Sequence, residues 1–331
     1  MQAVPRPPER RTEFLRAVLG LACALACAAA AGATAGPPSW AYPMQSADVA
    51  VPADDAQTVR IAASSRSYTL GQLRNPYEAA DWHPQDHPPL PAVVAHGRPP
   101  QVYACGNCHR ADGSGTPDNA RLAGLSYGYM LQQLADFRSG ARRTAVPARQ
   151  PQALMIALAK ALSPDDAREA AAYFSTLKPR RNVRVIESAT VPQTIVSSWY
   201  LVPAPGGASE PIGERIIEVP EDAADCEHLD AHATFTAYVP PGSLARGAEI
   251  VTGAAAGKAP PCAGCHGPGL HGQGNVPGLA GRSPSYVVRQ LYDIQTGARG
   301  GQAVGVMRGL VARLDGSDII AVAAYVASLE P

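Results

Sequence analysis

The amino-acid sequence predicts a mainly α-helical protein in which one compact unit of short helices occurs twice in tandem. Its 331 residues are enough for two ordinary domains, each burying a core of its own. Glycine and proline make up about a fifth of the chain and aromatic residues 6%, a composition that favours short helices and long loops. Two stretches of the sequence also match each other at a constant offset, which indicates a repeated unit.

The first 35 residues have the pattern of a secretory signal peptide. A basic start that includes Arg10 and Arg11 precedes an apolar run from Ala17 to Ala31, and Ala33-Thr34-Ala35 supplies small residues at the cleavage positions. The apolar run is shorter than a membrane-spanning helix needs, although a retained membrane anchor stays open as the alternative. We predict export to the periplasm and cleavage, which would remove four arginines and two glutamates and leave a net charge of −2.

Five cysteines follow the signal peptide, an odd number that fits poorly with a disulfide framework. Four of them lie in two Cys-x-x-Cys-His motifs, namely Cys105, Cys108 and His109, and Cys262, Cys265 and His266. This motif is the signature of c-type haem attachment, in which two thiols bond to one haem and the histidine binds its iron. One copy also fits a redox dithiol or half of a zinc site, but two copies behind an export signal favour two covalently bound haem c groups.

The two motifs belong to a longer internal repeat. An offset of 157 positions aligns residues 105–142 with residues 262–299 without a gap. The matches are Leu122-Ala123-Gly124 with Leu279-Ala280-Gly281, Tyr129 with Tyr286, Gln133-Leu134 with Gln290-Leu291, and Gly140-Ala141-Arg142 with Gly297-Ala298-Arg299. A second block at an offset of 152 aligns Ala171-Ala172-Tyr173 with Ala323-Ala324-Tyr325. The sequence therefore predicts a duplicated haem-binding domain.

The repeat also selects a second ligand for each iron. Met155 aligns with Met307, some 40 to 46 residues beyond the motif histidines, whereas Met130 aligns with Val287 and is predicted to fill a core. A thioether opposite histidine is a known c-type arrangement that raises the reduction potential. We predict Met155 and Met307 as distal ligands, with two buried packing methionines as the alternative.

Caps and apolar spacing predict the helices of each unit. Ser243 is expected to cap a helix starting at Leu244, with a shorter counterpart within 91–97. Middle helices are predicted over Tyr129–Ser139 and Tyr286–Thr296, ending at Gly140 and Gly297. The last helix of each unit should begin behind Ser163 and Asp315, where acidic residues of the first turn favour the helix dipole.

Together these motifs resemble the class I cytochromes c, and among them the two-haem cytochrome c4 type. The resemblance covers residues 99–178 and 243–330. It implies short helices wrapped around each haem, and a carbonyl at Ala120 and at Pro277 that accepts a hydrogen bond from the proximal histidine. Arg142 and Arg299 are candidates to pair with haem propionates or partner surfaces, or are solvated surface arginines.

The remaining segments complete the predicted organisation. Signal peptide 1–35 is followed by an extended proline-rich arm at 36–98, the first haem domain at 99–180, a β-containing insertion at 181–242 and the second haem domain at 243–331. His83, His87 and His96 are expected to be surface or packing residues, since no further haem motif accompanies them. Cys226 is expected to be a structural or unpaired thiol, with an intermolecular bridge, lipid attachment or regulation as alternatives.

The predicted function is one-electron transfer without catalytic residues, because His/Met ligation leaves no open position on either iron. The partners would be a donor dehydrogenase or quinol-oxidising complex and a terminal oxidase or other acceptor, with membrane-surface association through a partner left open. Equal numbers of basic and acidic side chains, 28 of each, argue against nucleic acid as a binding partner. The alternatives are a cytochrome subunit of a periplasmic or membrane-bound dehydrogenase and, if one iron lacks methionine, a peroxidase or sulfur-compound oxidoreductase.

Overall fold

The computed structural model describes residues 1–2, 36–45 and 55–331. All of the predicted signal peptide except its first two residues lies outside these ranges. Within the described part of the chain, no helix is long and apolar enough to cross a membrane. Residues 39–331 form one unit, in which the elements given below pack together.

The proline-rich arm carries more regular structure than the sequence predicted. Its elements are β1 (Thr58–Val59), β2 (Tyr68–Thr69), α1 (Leu70–Arg74) and α2 (Ala92–Ala95), with β1 antiparallel to β2. Thr69 and Gln72 form a capping box that starts α1. Val59, Leu73, Ala80 and Trp82 form a small core, so the arm folds locally in spite of the prolines that keep its helices short.

The first helical unit follows the predicted order of elements. It contains α3 (Cys105–His109), α4 (Tyr127–Ser139), α5 (Gln150–Ala161) and α6 (Pro164–Thr176). The Ser126 hydroxyl caps α4, which therefore starts two residues earlier than predicted, and Gly140 ends it in the left-handed conformation that the sequence predicted. Ser163 caps α6 as expected. Helix α5, which carries Met155, was not predicted.

The insertion is built around a three-stranded sheet. Its elements are β3 (Val183–Glu187), β4 (Thr190–Pro192), β5 (Thr194–Ser197), β6 (Tyr200–Pro203), β7 (Ser209–Pro211), β8 (Ile217–Pro220), α7 (Ala223–Glu227) and β9 (Phe235–Val239). Central β9 is parallel to β3 and antiparallel to β8, while β4–β7 and β5–β6 form antiparallel pairs. The expected β content of the insertion is confirmed.

The second helical unit repeats the pattern of the first. It contains α8 (Ser243–Val251), α9 (Ala263–His266), β10 (Gly272–Gln273), β11 (Val276–Pro277), α10 (Pro284–Gln295), α11 (Gly305–Val311) and α12 (Gly316–Ser328). Ser283 and Asp315 cap α10 and α12. The prediction for Ser243 was wrong by one position, because Gly242, in the left-handed conformation, precedes α8 and Ser243 is its first residue.

Each unit has its own apolar core, and the packing of α12 on α8 dominates the second one. Most of α12 is buried, and at Gly247 in α8 a Cβ would clash with the carbonyl of Ala321. Glycine at this position therefore allows the two helices to approach closely. In the first core, α6 supplies Tyr173 and Phe174, two of its few aromatic residues.

Candidate haem-binding sites

A single continuous cavity of about 1530 Å³ runs through both helical units. All eight predicted site residues line it: Cys105, Cys108, His109, Met155, Cys262, Cys265, His266 and Met307. The cavity is larger than the 300–1,000 Å³ of ordinary ligand pockets. The structure thus brings the two predicted sites into one connected space.

In the first site, helix α3 consists of the attachment motif alone. Cys105 begins the helix and His109 ends it, so the first thiol, Cys108 and the imidazole lie within one turn of each other. The Nδ1 atom of His109 lies 2.8 Å from the carbonyl oxygen of Ala120. Because a carbonyl only accepts, Nδ1 carries the hydrogen and Nε2 keeps its lone pair for a metal.

The second site reproduces this contact in the equivalent place. His266 Nδ1 donates to the carbonyl of Pro277 at 2.8 Å. The resemblance implied both contacts, and the structure contains both. The equal distances show that proline is not needed at this position, since Ala120 holds His109 equally closely. Burial lowers the pKa of His109 and of His266, which favours the neutral imidazole that binds metals.

No disulfide joins the four motif cysteines, so their sulfur atoms are available to bond to haem. Burial raises the pKa of the Cys105 thiol to about 12 and also raises the pKa of Cys262, which reflects the apolar surroundings of both side chains. Cys226 is likewise a free, buried thiol, packed against the insertion core. Its position agrees with the structural thiol that the sequence predicted.

The two methionines of the repeat lie on helices in equivalent positions. Met155 is on α5 and Met307 on α11, and both are half-buried against the cavity. Met130 is 6% exposed and belongs to the core of the first unit, as predicted for a packing residue, although it also lines the cavity. Met44 is 42% exposed and lies outside the cavity lining.

Arg142 joins the two units through a buried cluster of hydrogen bonds. Its guanidinium donates to Gln133 Oε1 at 2.8 Å within its own unit. It also donates to Gln290 Oε1 at 3.0 Å and to the Tyr286 hydroxyl at 3.1 Å in the other unit. The surface alternative for Arg142 was wrong, because the side chain is 8% exposed.

Arg299 makes the same contacts in the opposite direction. It donates to Gln290 Oε1 at 2.9 Å in its own unit, and to the Tyr129 hydroxyl at 2.9 Å and Gln133 Oε1 at 3.2 Å across the boundary. The surface alternative was wrong for Arg299 as well, since it is 9% exposed. The six side chains are repeat equivalents, so the contact has approximate two-fold symmetry.

The backbone extends this symmetry. The amide of Arg143 donates to the carbonyl of Ala298 at 2.9 Å, and the amide of Gly300 donates to the carbonyl of Ala141 at 2.7 Å. Burial alone would raise the pKa of Tyr286, but the nearby guanidinium groups, Arg142 first among them, outweigh burial and lower it. The boundary between the units is therefore polar, buried and positively charged.

The lining of the cavity fits haem c. Each half offers a thiol pair, an imidazole with a free Nε2, and apolar walls from residues such as Leu122, Phe137, Leu291 and Leu314. The buried Nε of Arg299 has no hydrogen-bond partner, and this side chain also lines the cavity. An unpaired buried donor of this kind suits a propionate carboxylate.

Comparison with known proteins identifies the family. The sequence profile of cytochrome c matches residues 99–178 and 244–330, about half of the chain. The chain belongs to the cytochrome c family. The resemblance to a two-domain class I cytochrome c of the c4 type is thereby confirmed, as is the mainly α fold with two such domains.

Several known cytochromes are similar over most of this chain. It is 30% identical to the thiosulfate dehydrogenase electron acceptor of Thiomonas intermedia (strain K12) over 70% of this chain and 80% of that protein. It is 29% identical to cytochrome c4 of Azotobacter vinelandii over 69% of this chain and 86% of that one. In a solved structure of thiosulfate dehydrogenase from Marichromatium purpuratum, the match has 30% identity and a TM-score of 0.48, and covers 71% of this chain and 38% of that chain.

The similarity to the electron acceptor and to cytochrome c4 establishes the general function. This cytochrome is a dihaem electron-transfer protein rather than an enzyme, it carries covalently bound haem c, and it exchanges electrons with redox partner proteins. The sequence prediction of electron transfer is confirmed at this level.

Proposed function

We propose that this cytochrome passes single electrons between partner proteins in the periplasm through two connected His/Met haem sites. The observation that carries the proposal is the continuous cavity, because all eight predicted residues line it. Cys105 and Cys108 would attach the first haem, and Cys262 and Cys265 the second. His109 with Met155, and His266 with Met307, would be the axial ligand pairs.

When bound, haem c supplies an iron that cycles between the ferric and ferrous states. The chain positions it. The carbonyls of Ala120 and Pro277 fix the tautomer and the ring orientation of the two histidines, and a donated N–H of this kind also increases the basicity of the ligand nitrogen. The methionine thioethers would complete the ligand set, raise the reduction potential and leave no position for a substrate.

The arginine cluster, defined as Tyr129, Gln133, Arg142, Tyr286, Gln290 and Arg299, would keep the two haem groups in a fixed relation. Its hydrogen bonds cross the boundary in both directions. A largely buried polar network of this kind disfavours other domain arrangements. Its positive charge also favours the ferrous state of a neighbouring iron.

Residues 1–35 would direct export and then be cleaved, and the two haem domains, residues 99–180 and 243–331, would derive from a duplication. The internal sequence repeat supports the duplication. Basic, apolar and small residues in the order of a signal peptide support export.

Redox titration of Met variants tests the ligand assignment. In the haem-loaded wild type we expect two one-electron steps and the near-infrared band of Met-ligated ferric haem. Met155→Ala and Met307→Ala should each remove about half of that band and lower one potential, within the roughly 0.8 V that axial ligands span. The readout is the visible and near-infrared spectrum as a function of potential.

Met44→Leu is the control, because Met44 is 42% exposed and lies outside both the cavity lining and the aligned methionine pair. It should retain the full near-infrared band and both potentials. A full band in Met155→Ala or Met307→Ala would overturn the assignment of that methionine as a ligand. The alternative of a haem enzyme with an open position on one iron would then be favoured.

A narrower candidate role is electron acceptor of a thiosulfate dehydrogenase, either free or as a subunit. Two similar proteins carry the name thiosulfate dehydrogenase electron acceptor. The arm and the β insertion give this cytochrome more surface than two haem domains need, which suits a stable partner contact.

Stopped-flow mixing with a purified thiosulfate dehydrogenase tests this role. With thiosulfate present, we expect both haem groups to be reduced at a rate that rises with enzyme concentration, and the two proteins to co-elute in gel filtration if the contact is stable. Reduction no faster than with the enzyme omitted would reject this donor while leaving the general electron-transfer function in place.

A further inference from the structure

Outside the haem cavity, the arm and the insertion meet at a cluster of histidine and aspartate side chains. His83 and Asp86 belong to the arm, and His232 belongs to the loop between α7 and β9. One potential ligand atom from each of these three residues lies within 4.8 Å of the other two. None of the three lines the haem cavity.

One ring nitrogen of His83 contacts a carboxylate and the other is unpaired. Its side chain is 3% exposed, and its Nε2 lies 2.8 Å from a carboxylate oxygen of Asp230. This contact places the hydrogen on Nε2 and leaves a lone pair on Nδ1. The Nδ1 atom is buried and has no hydrogen-bond partner. A carboxylate behind a histidine whose other nitrogen is unpaired is the arrangement that orients histidines toward metals.

His232 and Asp86 form the more accessible half of the cluster. His232 Nε2 lies 2.6 Å from a carboxylate oxygen of Asp86, and about a third of each side chain is exposed. The His232 backbone amide donates to Asp230 at 2.8 Å, so Asp230 contacts both histidine residues. The two imidazole rings stack at 3.6 Å with an angle of 5° between their planes.

We propose that His83, Asp86 and His232 bind one divalent transition-metal ion of the Zn²⁺ class, with Asp230 as the carboxylate that orients His83. Two imidazole nitrogens and one carboxylate oxygen suit Zn²⁺, Ni²⁺ or Cu²⁺, whereas Ca²⁺ and Mg²⁺ prefer oxygen ligands alone. The carboxylates of Asp86 and Asp230 together balance the charge of a divalent ion.

Binding requires one defined rearrangement. Because the stacked rings are nearly parallel, a single ion cannot lie in both ring planes at once. His83 is fixed by burial and by its contact with Asp230. The partly exposed His232 ring must therefore rotate about its side-chain torsions, and Asp86, which contacts it, must move as well. Such a change is inexpensive for a histidine χ2, which has a broad energy minimum.

The ion would join three parts of the chain. The carbonyl of Ala231, next to His232, accepts hydrogen bonds from Ser114 at 3.3 Å and from Arg180, both in the first haem domain. The Trp82 indole N–H, next to His83, donates to the carbonyl of His228 at 2.7 Å. A metal at this point would therefore tie the arm and the insertion to the first domain and act as a structural site.

Zn²⁺ titration of the haem-loaded full chain, stripped of metals with a chelator, tests the proposal. Calorimetry should show one Zn²⁺ ion per wild-type chain, and Zn²⁺ should raise the Tm. His232→Ala and Asp86→Asn should each weaken binding at least tenfold and abolish the Tm increase. Both replaced side chains are partly exposed, so the metal-free variants are expected to fold and to give wild-type haem spectra.

His96→Ala is the matched control. His96 also contacts a carboxylate, Glu78 at 2.7 Å, but among the described residues this pair belongs to no group of three potential metal ligands. This variant should bind Zn²⁺ like the wild type. Absence of stoichiometric binding to the wild type, or equal binding by His232→Ala, would overturn the metal site. Neither result affects the proposed electron-transfer function, whose readouts are the haem spectrum and the potentials.

Discussion

Replacing Cys262 and Cys265 together by alanine should leave one covalently bound haem per chain instead of two. The two thiols lie in a single motif on the α9 segment and both line the cavity, so no other cysteine of that unit can replace them. The haem that remains would be the one at Cys105 and Cys108. Haem content per polypeptide after denaturation, measured by absorbance and by intact mass, reads this out directly.

The second domain should also lose stability in this variant. Leu291, Ile294 and Leu314 are core residues that also line the cavity, and without haem they would face solvent at a cost of about 25 cal/mol for each Å² of apolar surface. Thermal unfolding should therefore separate into two transitions. The second domain, without haem, should unfold first, and only the later unfolding of the first domain should change the haem absorbance.

Cys226→Ala is the control for the cysteine variant. Cys226 is buried in the insertion core and also lines the cavity, but it lies outside both motifs, so its replacement should keep both haem groups. Two covalent haem groups in the Cys262→Ala, Cys265→Ala chain would contradict the assignment of the second attachment site.

The features that the sequence predicted well depend on contacts between near neighbours along the chain. The caps at Ser163 and Asp315 act on amides three residues away. The attachment motifs are likewise local, since the spacing of thiols and imidazole is set within one helical turn. Such features need no knowledge of the tertiary fold.

The features that the sequence did not predict depend on distant parts of the chain. The sequence predicted Ser243 rather than Gly242 as the residue before helix α8, because either residue type can precede a helix. Only the left-handed backbone at Gly242 decides between them. The arm was expected to be extended on account of its prolines, yet Trp82 gains a buried position by contacting the insertion. No local pattern encodes such long-range burial.

Arg142 and Arg299 show the same limit, together with a signal that was available. Arginine is usually exposed, so the sequence left a surface position open for both. However, the repeat keeps Tyr, Gln and Arg at equivalent positions in both units, and polar residues retained in two copies indicate a shared contact. In the structure, the two-fold arrangement brings these side chains into contact as one cluster.

Replacing either arginine of the cluster by methionine should destabilise the protein by about 2 to 4 kcal/mol, since each guanidinium hydrogen bond contributes roughly 1.5–3 kcal/mol and its loss leaves buried oxygens unpaired. Arg142 and Arg299 share Gln133 and Gln290 as acceptors. The loss in the double variant should therefore differ from the sum of the two single losses by about 0.5–3 kcal/mol. Chemical unfolding of the haem-loaded chain measures all three values.

The same variants should change both reduction potentials, because the cluster lies between the two sites. A nearby positive charge favours the ferrous state, so removing Arg142 or Arg299 should lower both potentials, whereas each methionine variant lowers only one. Arg143→Met is the control, since this exposed neighbour joins the boundary through its backbone amide and its replacement should alter stability by less than about 0.5 kcal/mol. If Arg299→Met proved as stable as Arg143→Met and left both potentials unchanged, the cluster would neither hold the domains together nor act on the iron sites.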